Sequence, residues 1–490
     1  MWLKDLQVGN VIDAQMFIDG EFTKGDAKST LVVDNPANEN IIASIPDGSP
    51  SDAESALSSA TSAQRVWARK TTAERATYVR EMALELDRQR DYLARIITAE
   101  QGKPFHQAQG EVSATAAFLH FAANNAHRLE GDIIPSDNRD EEIWIHKVPY
   151  GVVVGLTAWN YPCALVARKL GPALVAGNSF VLLAHENTPL SGLALAKIAR
   201  DIGLPNGVFN VVTGRGAVVG QTLVESPRSD LITLTGSNRA GRQILTTAAQ
   251  QIKAVRLELG GKAPFIVMED ADLEKAVNAA VVARFTNAGQ ICTCNERMYL
   301  HHAIADEFLE KFIQKCRSLT VGDPMTNVSL GPKVSRIERD KVQSLIDQGV
   351  AEGAEYLLKG GPQACGESEK GYWFAPSVLE VKNNQNPLMQ KEIFGPAVPA
   401  LRVSDFDEAI EHANDSDFGL SAYVFTQKIS RLMVLSSSLK VGEIYFNRAN
   451  GEQVQGFHNG WKQSGLGGED GKYGLEEYLK KQTLYMNWQG

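Results

Sequence analysis

Apolar residues recur at helical spacing through the first quarter of the chain. They predict three amphipathic helices, from Ser51 to Lys70, from Thr72 to Gln101 and from His106 to Leu129. We expect Ser51 to cap the first of these. Ahead of them, residues 16–23 predict a hairpin that turns at an Asp-Gly pair. These helices carry no obvious reactive group, so we assign them to the scaffold.

From Gly151 the pattern changes to short β-branched segments that alternate with helix-like segments. The strand candidates are Val152–Leu156, Phe180–Leu183, Val208–Val212, Leu231–Leu234 and Val255–Leu257, and the helix candidates are Cys163–Ala176, Pro189–Ile202, Ala217–Ser226 and Arg239–Gln251. This alternation predicts βαβ crossovers and a parallel sheet covered on both faces. Ligands of such sheets bind outside the carboxyl ends of the strands, where Asn160, Gly236 and Glu258 fall.

A second α/β series follows Gly260. Its strand candidates are Pro264–Val267, Met298–Leu300, Ala397–Arg402, Tyr423–Phe425 and Glu443–Phe446. Cys292 lies at the start of this series, so we expect the two α/β units to face each other across it. Residues 141–148 and 483–488 alternate polar and apolar positions and predict two further strands.

Composition excludes several classes of protein. A chain of 490 residues is too long for one core, which predicts two or three domains. The formal net charge of -9 argues against a nucleic-acid or anionic-membrane partner. No apolar segment is long enough to span a bilayer, and residues 1–6 do not resemble a signal peptide. We therefore expect a cytoplasmic protein.

The cysteines support a reducing compartment. There are five of them, an odd and sparse set: Cys163, Cys292, Cys294, Cys316 and Cys365. Cys292 and Cys294 could suggest a metal, but no second Cys or His cluster supplies the remaining ligands. We therefore predict no metal site.

Three segments each present one reactive group. Cys292 ends Phe285-Thr-Asn-Ala-Gly-Gln-Ile-Cys292, Glu258 lies in Leu257-Glu-Leu-Gly-Gly-Lys262, and Asn160 lies in Trp159-Asn-Tyr-Pro162. A thiolate adds to a carbonyl, an amide and the backbone N–H of the cysteine stabilise the oxyanion, and a carboxylate activates water. Taken singly, the three residues are typical of a buried structural thiol, a paired carboxylate and a turn. Their combination indicates covalent catalysis at a carbonyl.

These segments resemble the aldehyde dehydrogenase superfamily, and the resemblance covers nearly the whole chain. It implies an α/β fold with a Rossmann-type parallel-sheet cofactor domain, an α/β catalytic domain and a β oligomerisation arm. It assigns residues 1–131 and 151–259 to NAD binding, 260–446 to catalysis, and 132–150 and 470–490 to the arm. A homo-oligomer, a dimer of dimers, is the implied assembly.

The resemblance also implies a reaction. Cys292 attacks an aldehyde to give a thiohemiacetal, which passes a hydride to a nicotinamide cofactor. Water activated by Glu258 then hydrolyses the thioester to a carboxylic acid, while Asn160 holds the oxyanion.

The implied cofactor site contains one departure from the family pattern. Its residues are Trp159, Glu186, Gly216, Gly220, Gly236, Ser237, Leu259, Glu392 and Phe394. The run from Gly214 to Gly220 does not keep the dinucleotide fingerprint spacing, so alone it indicates only a tight turn. The family's usual Lys-Pro-Ser-Glu group reads Leu183-Ala-His185-Glu186 here. Because Glu186 should repel the extra phosphate of NADP, we predict NAD rather than NADP. Whether His185 compensates for the missing lysine stays open.

Within the superfamily the chain most resembles bacterial lactaldehyde/glycolaldehyde dehydrogenases. The resemblance rests on Cys-x-Cys-x-Glu-Arg297, Ala167-Arg-Lys169 and Gln455-Gly-Phe-His-x-Gly-Trp461. Arg168, Glu452 and His458 match substrate-contacting positions, and these groups can hydrogen-bond a 2-hydroxyl that an alkyl aldehyde lacks. The plainer interpretations are a surface salt bridge for Arg168 and a structural histidine for His458. A succinate-semialdehyde dehydrogenase, in which arginine binds a carboxylate, is the nearest alternative.

Functions of other classes stay open. A cysteine hydrolase would pair Cys292 with a histidine base, which fits the Glu258 segment and the paired sheets poorly. A CoA-acylating enzyme would need no hydrolytic glutamate, and a non-catalytic binding protein would tolerate the altered Leu183 segment. Cys294 is either a wall of the pocket or a partner that caps Cys292 by oxidation.

Overall fold

The structure, a computed structural model, describes residues 9–365 and 370–488. Residues 1–6, which were considered as a signal peptide, lie outside this range, as do the first eight residues of the predicted NAD-binding domain and residues 489–490 of the predicted arm. Among the helices in the described part of the chain, none combines the length and apolarity needed to cross a bilayer.

The helices and strands are numbered along the chain. The helices are α1 (Pro50–Trp67), α2 (Thr72–Arg88), α3 (Arg90–Gln101), α4 (Phe105–Asn124), α5 (Ala164–Ala176), α6 (Pro189–Asp201), α7 (Gln221–Glu225), α8 (Asn238–Ala249), α9 (Leu273–Phe285), α10 (Ala305–Arg317), α11 (Arg336–Ala351), α12 (Pro387–Gln390), α13 (Phe406–Asn414), α14 (Ile429–Ser438) and α15 (Gly471–Glu476). The strands are β1 (Ile12–Asp13), β2 (Met16–Ile18), β3 (Glu21–Thr23), β4 (Thr30–Asn35), β5 (Asn40–Pro46), β6 (Asp132–Pro135), β7 (Glu141–Pro149), β8 (Val152–Leu156), β9 (Ser179–Leu183), β10 (Phe209–Val212), β11 (Leu231–Thr235), β12 (Ala254–Glu258), β13 (Ala263–Val267), β14 (Asn295–His301), β15 (Glu355–Leu358), β16 (Gly361–Pro362), β17 (Phe374–Ala375), β18 (Ser377–Glu380), β19 (Ala397–Val403), β20 (Phe418–Gly419), β21 (Ser421–Phe425), β22 (Glu443–Phe446), β23 (His458–Asn459), β24 (Trp461–Lys462), β25 (Gly465–Leu466), β26 (Gly468–Glu469) and β27 (Leu479–Asn487).

The first large sheet has the strand order β25-β12-β11-β8-β9-β10-β2-β3. Strands β12, β11, β8, β9 and β10 are parallel, while β25 and the predicted hairpin β2–β3 add antiparallel edges. Among the parallel strands, β8 comes first along the chain. It is followed by β9 and β10 on one side of it in the sheet and then by β11 and β12 on the other side. The order therefore reverses between β8 and β11, which is where doubly wound sheets bind ligands. Asn160 follows β8, and Gly236 follows β11.

Both faces of this sheet are buried, which explains its continuous apolar strands. In β8, Val153 packs in one core with α2–α6, whereas Val152 and Val154 pack in the core on the opposite face. Successive side chains of a strand point to opposite faces, so a strand covered on both sides must be apolar throughout. The predicted two-sided parallel sheet is confirmed.

The second large sheet has the order β15-β18-β19-β14-β13-β21-β22 and is parallel except for β15. It too is covered on both faces, with Phe265 in one core and Ile266 in the other. The two segments with alternating polarity become β7 and β27, which pair with each other from Leu479↔Pro149 to Asn487↔Glu141. With β6 they form a separate antiparallel sheet. The residue limits predicted for the three domains stay a prediction.

Four of the predicted helices differ from the observed ones. The first helix is capped by Ser49 rather than Ser51, because the side chains of Ser49 and Asp52 form a reciprocal capping box around Pro50. The predicted helix from Thr72 to Gln101 is broken at Gln89, whose backbone leaves the helical region. The third helix begins at Phe105 and ends at Asn124. In the predicted helix 217–226, residues 216–220 form a π-helical turn that leads into α7.

Candidate active site

The cleft lies between the carboxyl edge of the first sheet and the amino edge of the second. Glu258 is the last residue of β12, and Cys292 lies three residues before β14. The C-terminal segment returns to this cleft, since β25 pairs with β12 and β23 presents His458 beside Glu258. The expectation that the two α/β units face each other across Cys292 is confirmed.

The loop that carries Cys292 is held in a strained conformation. Asn287, Ala288 and Gly289 have φ values of 50°, 53° and 72°, three consecutive residues in the left-handed region. A side chain at position 289 would come within 2.3 Å of the Gly395 carbonyl oxygen. For a non-glycine residue such a conformation costs roughly 1–2 kcal/mol, so it persists only where surrounding contacts fix it.

Hydrogen bonds of Gln290 hold the loop in this conformation. Its buried side chain donates to the Asn287 carbonyl (2.9 Å) and accepts from the Val334 N–H (3.0 Å), and its own carbonyl accepts from the Asn160 amide (2.9 Å). The loop that carries Cys292 is therefore hydrogen-bonded to Asn160, which follows β8, and to Val334, which precedes α11.

Asn160 is a rigid amide donor. Its Nδ2 donates one hydrogen bond to the Gln290 carbonyl, and the second hydrogen of Nδ2 is left for another acceptor. The Asn160 carbonyl is gripped by Lys103 Nζ (3.0 Å) and Asn287 Nδ2 (3.1 Å), and Lys103 is paired with the buried Glu111. Glu111 also accepts from the backbone N–H of Cys163 (2.9 Å). The predicted oxyanion donor is thus held by buried hydrogen bonds from Lys103 and Asn287, and Lys103 is itself held by its ion pair with Glu111.

Glu258 is buried and poorly solvated. Neither of its carboxylate oxygens has a hydrogen bond of good geometry, and Oε2 lies 3.3 Å from His458 Nε2. Burial raises the pKa of Glu258 to about 8, although His458 opposes the rise. A carboxyl group with a pKa near the working pH is suited to general base catalysis.

His458 lies at the centre of the cluster. Its Nδ1 is 3.2 Å from Glu443 Oε1, and its Nε2 is 3.3 Å from Glu258 Oε2. Burial and Arg168 oppose protonation, but Glu258, Glu452 and Glu443 raise the pKa of His458 well above its usual range. The acidic residues around the imidazole therefore favour its protonated form.

The environment of Cys292 contains opposing influences. Burial raises the pKa of its thiol, and the hydrogen bond and charge of His458 are the largest influences in the opposite direction. Ligand atoms of Glu443, Glu452 and His458 lie within 4.8 Å of one another, close enough to be considered for a cation. Because both imidazole nitrogens already face carboxylates, we interpret this group as an ion cluster.

Arg168 is buried and bound to acidic residues. Its Nε donates to both oxygens of Asp470 (2.9 and 3.0 Å), and Nη2 donates to Asp470 and to Glu452 Oε2 (3.4 Å). Nε also lies 3.4 Å from Glu469 Oε2, and the neighbouring Lys169 pairs with the same Glu469. The interpretation of Arg168 as a surface salt bridge was wrong, because α5 directs it into the interior.

Glu452 and Cys294 complete the pocket. Glu452 accepts from Thr293 Oγ1 (3.2 Å) as well as from Arg168, and although burial opposes it, His458 and Arg168 lower the pKa of Glu452. Cys294 is fully buried with its thiol directed at the Arg284 carbonyl (3.9 Å), and burial raises the pKa of this thiol to about 12. A thiol that stays protonated is a poor redox partner, which favours the pocket-wall interpretation.

Four of the predicted cofactor residues follow the carboxyl ends of strands of the first sheet: Gly216 and Gly220 follow β10, Ser237 follows β11, and Leu259 follows β12. Ser237 caps α8 by accepting from the Ala240 N–H (3.3 Å), so that helix N-terminus is available to an anion. The Leu259 side chain fills the space beside Gly241, where an added Cβ would come within 2.8 Å of it. Gly216 and Gly220 bound the π-helical turn after β10. No atom lies within 4 Å of a Cβ built at Gly216, which leaves room for a ligand.

The remaining cofactor candidates lie in two groups. Trp159 and Phe394 meet edge to face with ring centroids 5.4 Å apart. Glu392 accepts from the Gly261 N–H (2.8 Å), and burial raises the pKa of Glu392 to about 7. Glu186 is exposed at the end of the β9 loop, apart from the catalytic group. The open turn at Gly216, the N-terminus of α8 and the aromatic pair suit a nicotinamide dinucleotide.

Several residues of the cleft were not predicted from sequence. Glu443 was assigned only to a strand, and Asp470 and Glu469 only to the region around the arm, yet they hold His458, Arg168 and Lys169. Glu469 and Asp470 follow a glycine-rich run, and Glu443 follows Gly442. A charged residue at the start of a strand was the one available signal for Glu443.

Comparison with known proteins agrees with this geometry. The sequence pattern of the Aldehyde dehydrogenase family matches residues 22–484. The chain belongs to the aldehyde dehydrogenase family. It is 46% identical over 475 residues to a 3,6-anhydro-alpha-L-galactose dehydrogenase of a Vibrio species, covering 97% of this chain and 99% of that protein. It is 41% identical to the lactaldehyde dehydrogenase of Escherichia coli, covering 96% of this chain and 98% of that one.

Solved structures give the same result. A 3,6-anhydro-L-galactose dehydrogenase in complex with NADP superposes with a TM-score of 0.95 at 48% identity, covering 97% of this chain and all of that one. This aldehyde dehydrogenase has the fold expected from its sequence, and it is an oxidoreductase of the NAD(P)-dependent class. The hydrolase and non-catalytic alternatives are therefore set aside.

Proposed function

We propose that this aldehyde dehydrogenase oxidises a small, uncharged hydroxyaldehyde to its carboxylic acid. Lactaldehyde and glycolaldehyde are the simplest members of that class. The relatives named for lactaldehyde and for an anhydro-sugar support the class, because both substrates are uncharged and carry hydroxyl groups.

The observation that carries this proposal is the pairing of Arg168. Its guanidinium is engaged by Asp470 and Glu452 in the interior, and Lys169 is engaged by Glu469. A substrate carboxylate, such as that of succinate semialdehyde, would have to displace one of these carboxylates and then face the others. The hydroxyl groups of a substrate, in contrast, can accept hydrogen bonds from Arg168 and His458 and can donate a hydrogen bond to Glu452.

The proposed chemistry gives one role to each of Cys292, Asn160 and Glu258. The Cys292 sulfur bonds to the aldehyde carbon, and the second Nδ2 hydrogen of Asn160 with the Cys292 N–H holds the oxyanion. A nicotinamide cofactor, when bound, would supply the acceptor for the hydride of this carbon. Glu258 then takes a proton from the water that attacks the thioester, and the free thiol is regenerated.

For the cofactor we propose NAD in preference to NADP. Glu186 would repel a 2′-phosphate, and the usual lysine is replaced by Leu183, which is nearly buried in β9. The NADP in the related structure makes a direct comparison necessary. We expect kcat/KM to be higher with NAD, and Glu186→Ser to raise the value for NADP. A higher value for NADP in the unchanged enzyme would contradict the preference.

The substrate experiment compares kcat/KM for lactaldehyde, glycolaldehyde, 3,6-anhydro-L-galactose, propanal and succinate semialdehyde. We expect a hydroxyaldehyde to exceed propanal by about 100-fold or more, because a site built for a hydroxyl leaves unpaired polar groups when the hydroxyl is missing. Succinate semialdehyde as the best substrate would overturn the proposal. Equal values for propanal and lactaldehyde would also overturn it.

A further inference from the structure

Lys333 is a buried amine without a paired carboxylate. Its side chain is 0% exposed, and within the residues that the structure describes no ion pair joins it to an acidic group. Burial of an unpaired amine costs free energy, and it lowers the pKa of Lys333 to about 7. A position that needed only packing would be filled by an apolar side chain. The reason for a lysine here therefore lies in the contacts of its Nζ.

These contacts are made with the predicted cofactor segment, residues 392–394. Nζ of Lys333 donates to the Phe394 carbonyl and lies 5.8 Å from the centroid of the Phe394 ring. It also lies 6.0 Å from the ring centroid of Trp159, which is the ring that Phe394 meets edge to face. Both distances are those of a cation–π contact. One amine thus holds the Phe394 backbone and lies beside both rings of the aromatic pair.

Phe394 has a strained backbone. Its φ of 50° lies in the left-handed region, which a bulky residue rarely adopts, so surrounding contacts must fix it. Its N–H is held by Glu296 Oε1 (3.1 Å) in β14, and its carbonyl is held by Lys333. Two buried side chains, an acid and an amine, therefore hold the strained residue from its two sides.

The main chain at Lys333 is itself fixed. Its N–H donates to the Tyr372 carbonyl (2.9 Å), and the N–H of Val334 donates to the Gln290 side chain (3.0 Å) in the loop that carries Cys292. The Lys333 side chain thus reaches the cofactor segment from a rigid base. Two neighbouring residues therefore hold the loop of the nucleophile and the predicted cofactor segment relative to each other.

We infer that Lys333 is a positioning residue for the cofactor: by holding the Phe394 carbonyl, it fixes the left-handed turn that keeps the Phe394 ring against Trp159. The inference rests on the proposed function in assigning this aromatic pair to the nicotinamide cofactor. The carbonyl needs an N–H donor rather than a charge, so the hydrogen bond is made in either protonation state of the amine. Without this donor the turn would be less ordered, and part of the binding free energy of the cofactor would go into ordering it.

The first test needs neither cofactor nor aldehyde. Lys333→Met keeps the length of the side chain and removes its donor. Amide hydrogen exchange of the free enzyme, followed by peptide mass spectrometry, should be about tenfold faster in the peptide that contains residues 392–397. Exchange in peptides from β8 and β11 should stay unchanged, because the loss of order is local.

The second test compares the Kd of NADH with that of ADP by isothermal titration calorimetry. ADP lacks the nicotinamide half and therefore does not reach the aromatic pair. We expect Lys333→Met to raise the Kd of NADH about tenfold and to leave the Kd of ADP unchanged. Lys333→Gln retains a shorter donor, so its Kd for NADH should lie between those of Lys333→Met and the unchanged enzyme. If Lys333→Met does not fold, both measurements are made with Lys333→Gln.

Lys480→Met is the matched control. Lys480 donates to the Tyr150 carbonyl (3.3 Å) and lies 5.9 Å from the ring centroid of the same residue, but it belongs to β27 in the separate antiparallel sheet. This variant should leave the exchange of residues 392–397 and both Kd values unchanged.

Three results would overturn the inference: unchanged exchange of residues 392–397 in Lys333→Met, an unchanged Kd for NADH, or an equal rise in Kd for NADH and ADP, which indicates a general loss of structure. Failure of the proposed function has a different result. If exchange and NADH binding change as expected but the unchanged enzyme oxidises no hydroxyaldehyde, the role of Lys333 stands and the proposed function fails.

Discussion

Glu258 ends an apolar strand, and its ionisation is set by burial. With its pKa raised to about 8, the carboxyl group is mostly protonated at neutral pH and becomes a base as the pH rises. The step that uses this base, hydrolysis of the thioester, should therefore accelerate across the same range. In the proposed mechanism, the pKa of Glu258 sets the pH dependence of turnover.

We predict that kcat rises with pH through a limb centred near pH 8. The rate rises rather than falls because only the deprotonated Glu258 carboxylate can accept a proton from water, and its pKa is raised to about 8. Measurement of kcat from pH 6 to 10 with saturating aldehyde and NAD checks this, after control for enzyme stability at each pH. The limb should be absent in Glu258→Gln, and a limb that survives this substitution would contradict the assignment.

Asp470 occupies the guanidinium of Arg168 that an anionic substrate would need. Asp470→Asn should leave Arg168 partly unpaired and so improve the fit of an anionic substrate. We expect kcat/KM for succinate semialdehyde to rise relative to lactaldehyde by about tenfold, the effect of a gained charge-assisted hydrogen bond. An unchanged ratio would mean that the pairing of Arg168 does not control selectivity.

Single residues differ in how far sequence could predict them. Cys292, Glu258 and Asn160 lie in local segments whose composition indicates their chemistry, and the structure brings those segments to one cleft. The partners Asp470 and Glu443 were missed, because Asp470 lies 302 residues from Arg168 along the chain. Their contact depends on the path of the C-terminal segment back across β12, which no local pattern encodes.

At the level of secondary structure, Glu296 connects β14 to the segment that carries Glu392 and Phe394. It is buried in β14, pairs with Lys262 (2.8 Å) and Arg284 (2.9 Å), and accepts from the N–H groups of Ile393 (2.8 Å) and Phe394 (3.1 Å). Although burial opposes ionisation, Lys262 and Arg284 lower the pKa of Glu296 to about 2. Its stabilisation is therefore complete at neutral pH and is lost as the pH falls from about 4.5 towards 2.

We predict that Glu296→Gln destabilises the enzyme by about 3–5 kcal/mol, because it leaves two buried cations without their partner. Thermal unfolding at pH 7 should give a Tm lower by at least about 3 °C. Glu274→Gln is the matched control, since its ion pair with Lys311 is exposed and contributes little. Equal Tm values for the two variants would contradict the role of Glu296.

The type of sheet followed from the sequence more readily than the helix boundaries did. Continuous β-branched segments between helices leave few arrangements other than a doubly wound sheet. Helix ends depend on caps, and the Ser49-Pro50 signal was overlooked in favour of Ser51. The break at Gln89 carries no proline or glycine, so the periodicity of α2 and α3 runs through it.

At the scale of the whole molecule, the β6-β7-β27 sheet exposes apolar side chains. Ile133, Ile134, Tyr485 and Trp488 are 69%, 44%, 69% and 59% exposed. Exposed apolar residues on edge strands mark an interaction surface. This supports the predicted homo-oligomer, and both its size and the cytoplasmic location stay predictions.

We predict that Ile133→Asp weakens self-association. Light scattering after size exclusion should give a lower mass for this variant than for the unchanged protein at the same concentration. Ile337→Asp is the control, because Ile337 is equally exposed, at 69%, on α11. A dissociated product with Ile337→Asp but not with Ile133→Asp would place the interface elsewhere.

The most direct test of the account mixes Glu258→Gln rapidly with lactaldehyde and NAD, without CoA. If Cys292, Asn160 and Glu258 act as proposed, about one NADH forms per subunit in a burst, and mass spectrometry finds an acyl group on Cys292. Steady turnover then falls by about 100-fold or more relative to the unchanged enzyme. Turnover at the full rate, or a burst without acylated Cys292, would contradict the account.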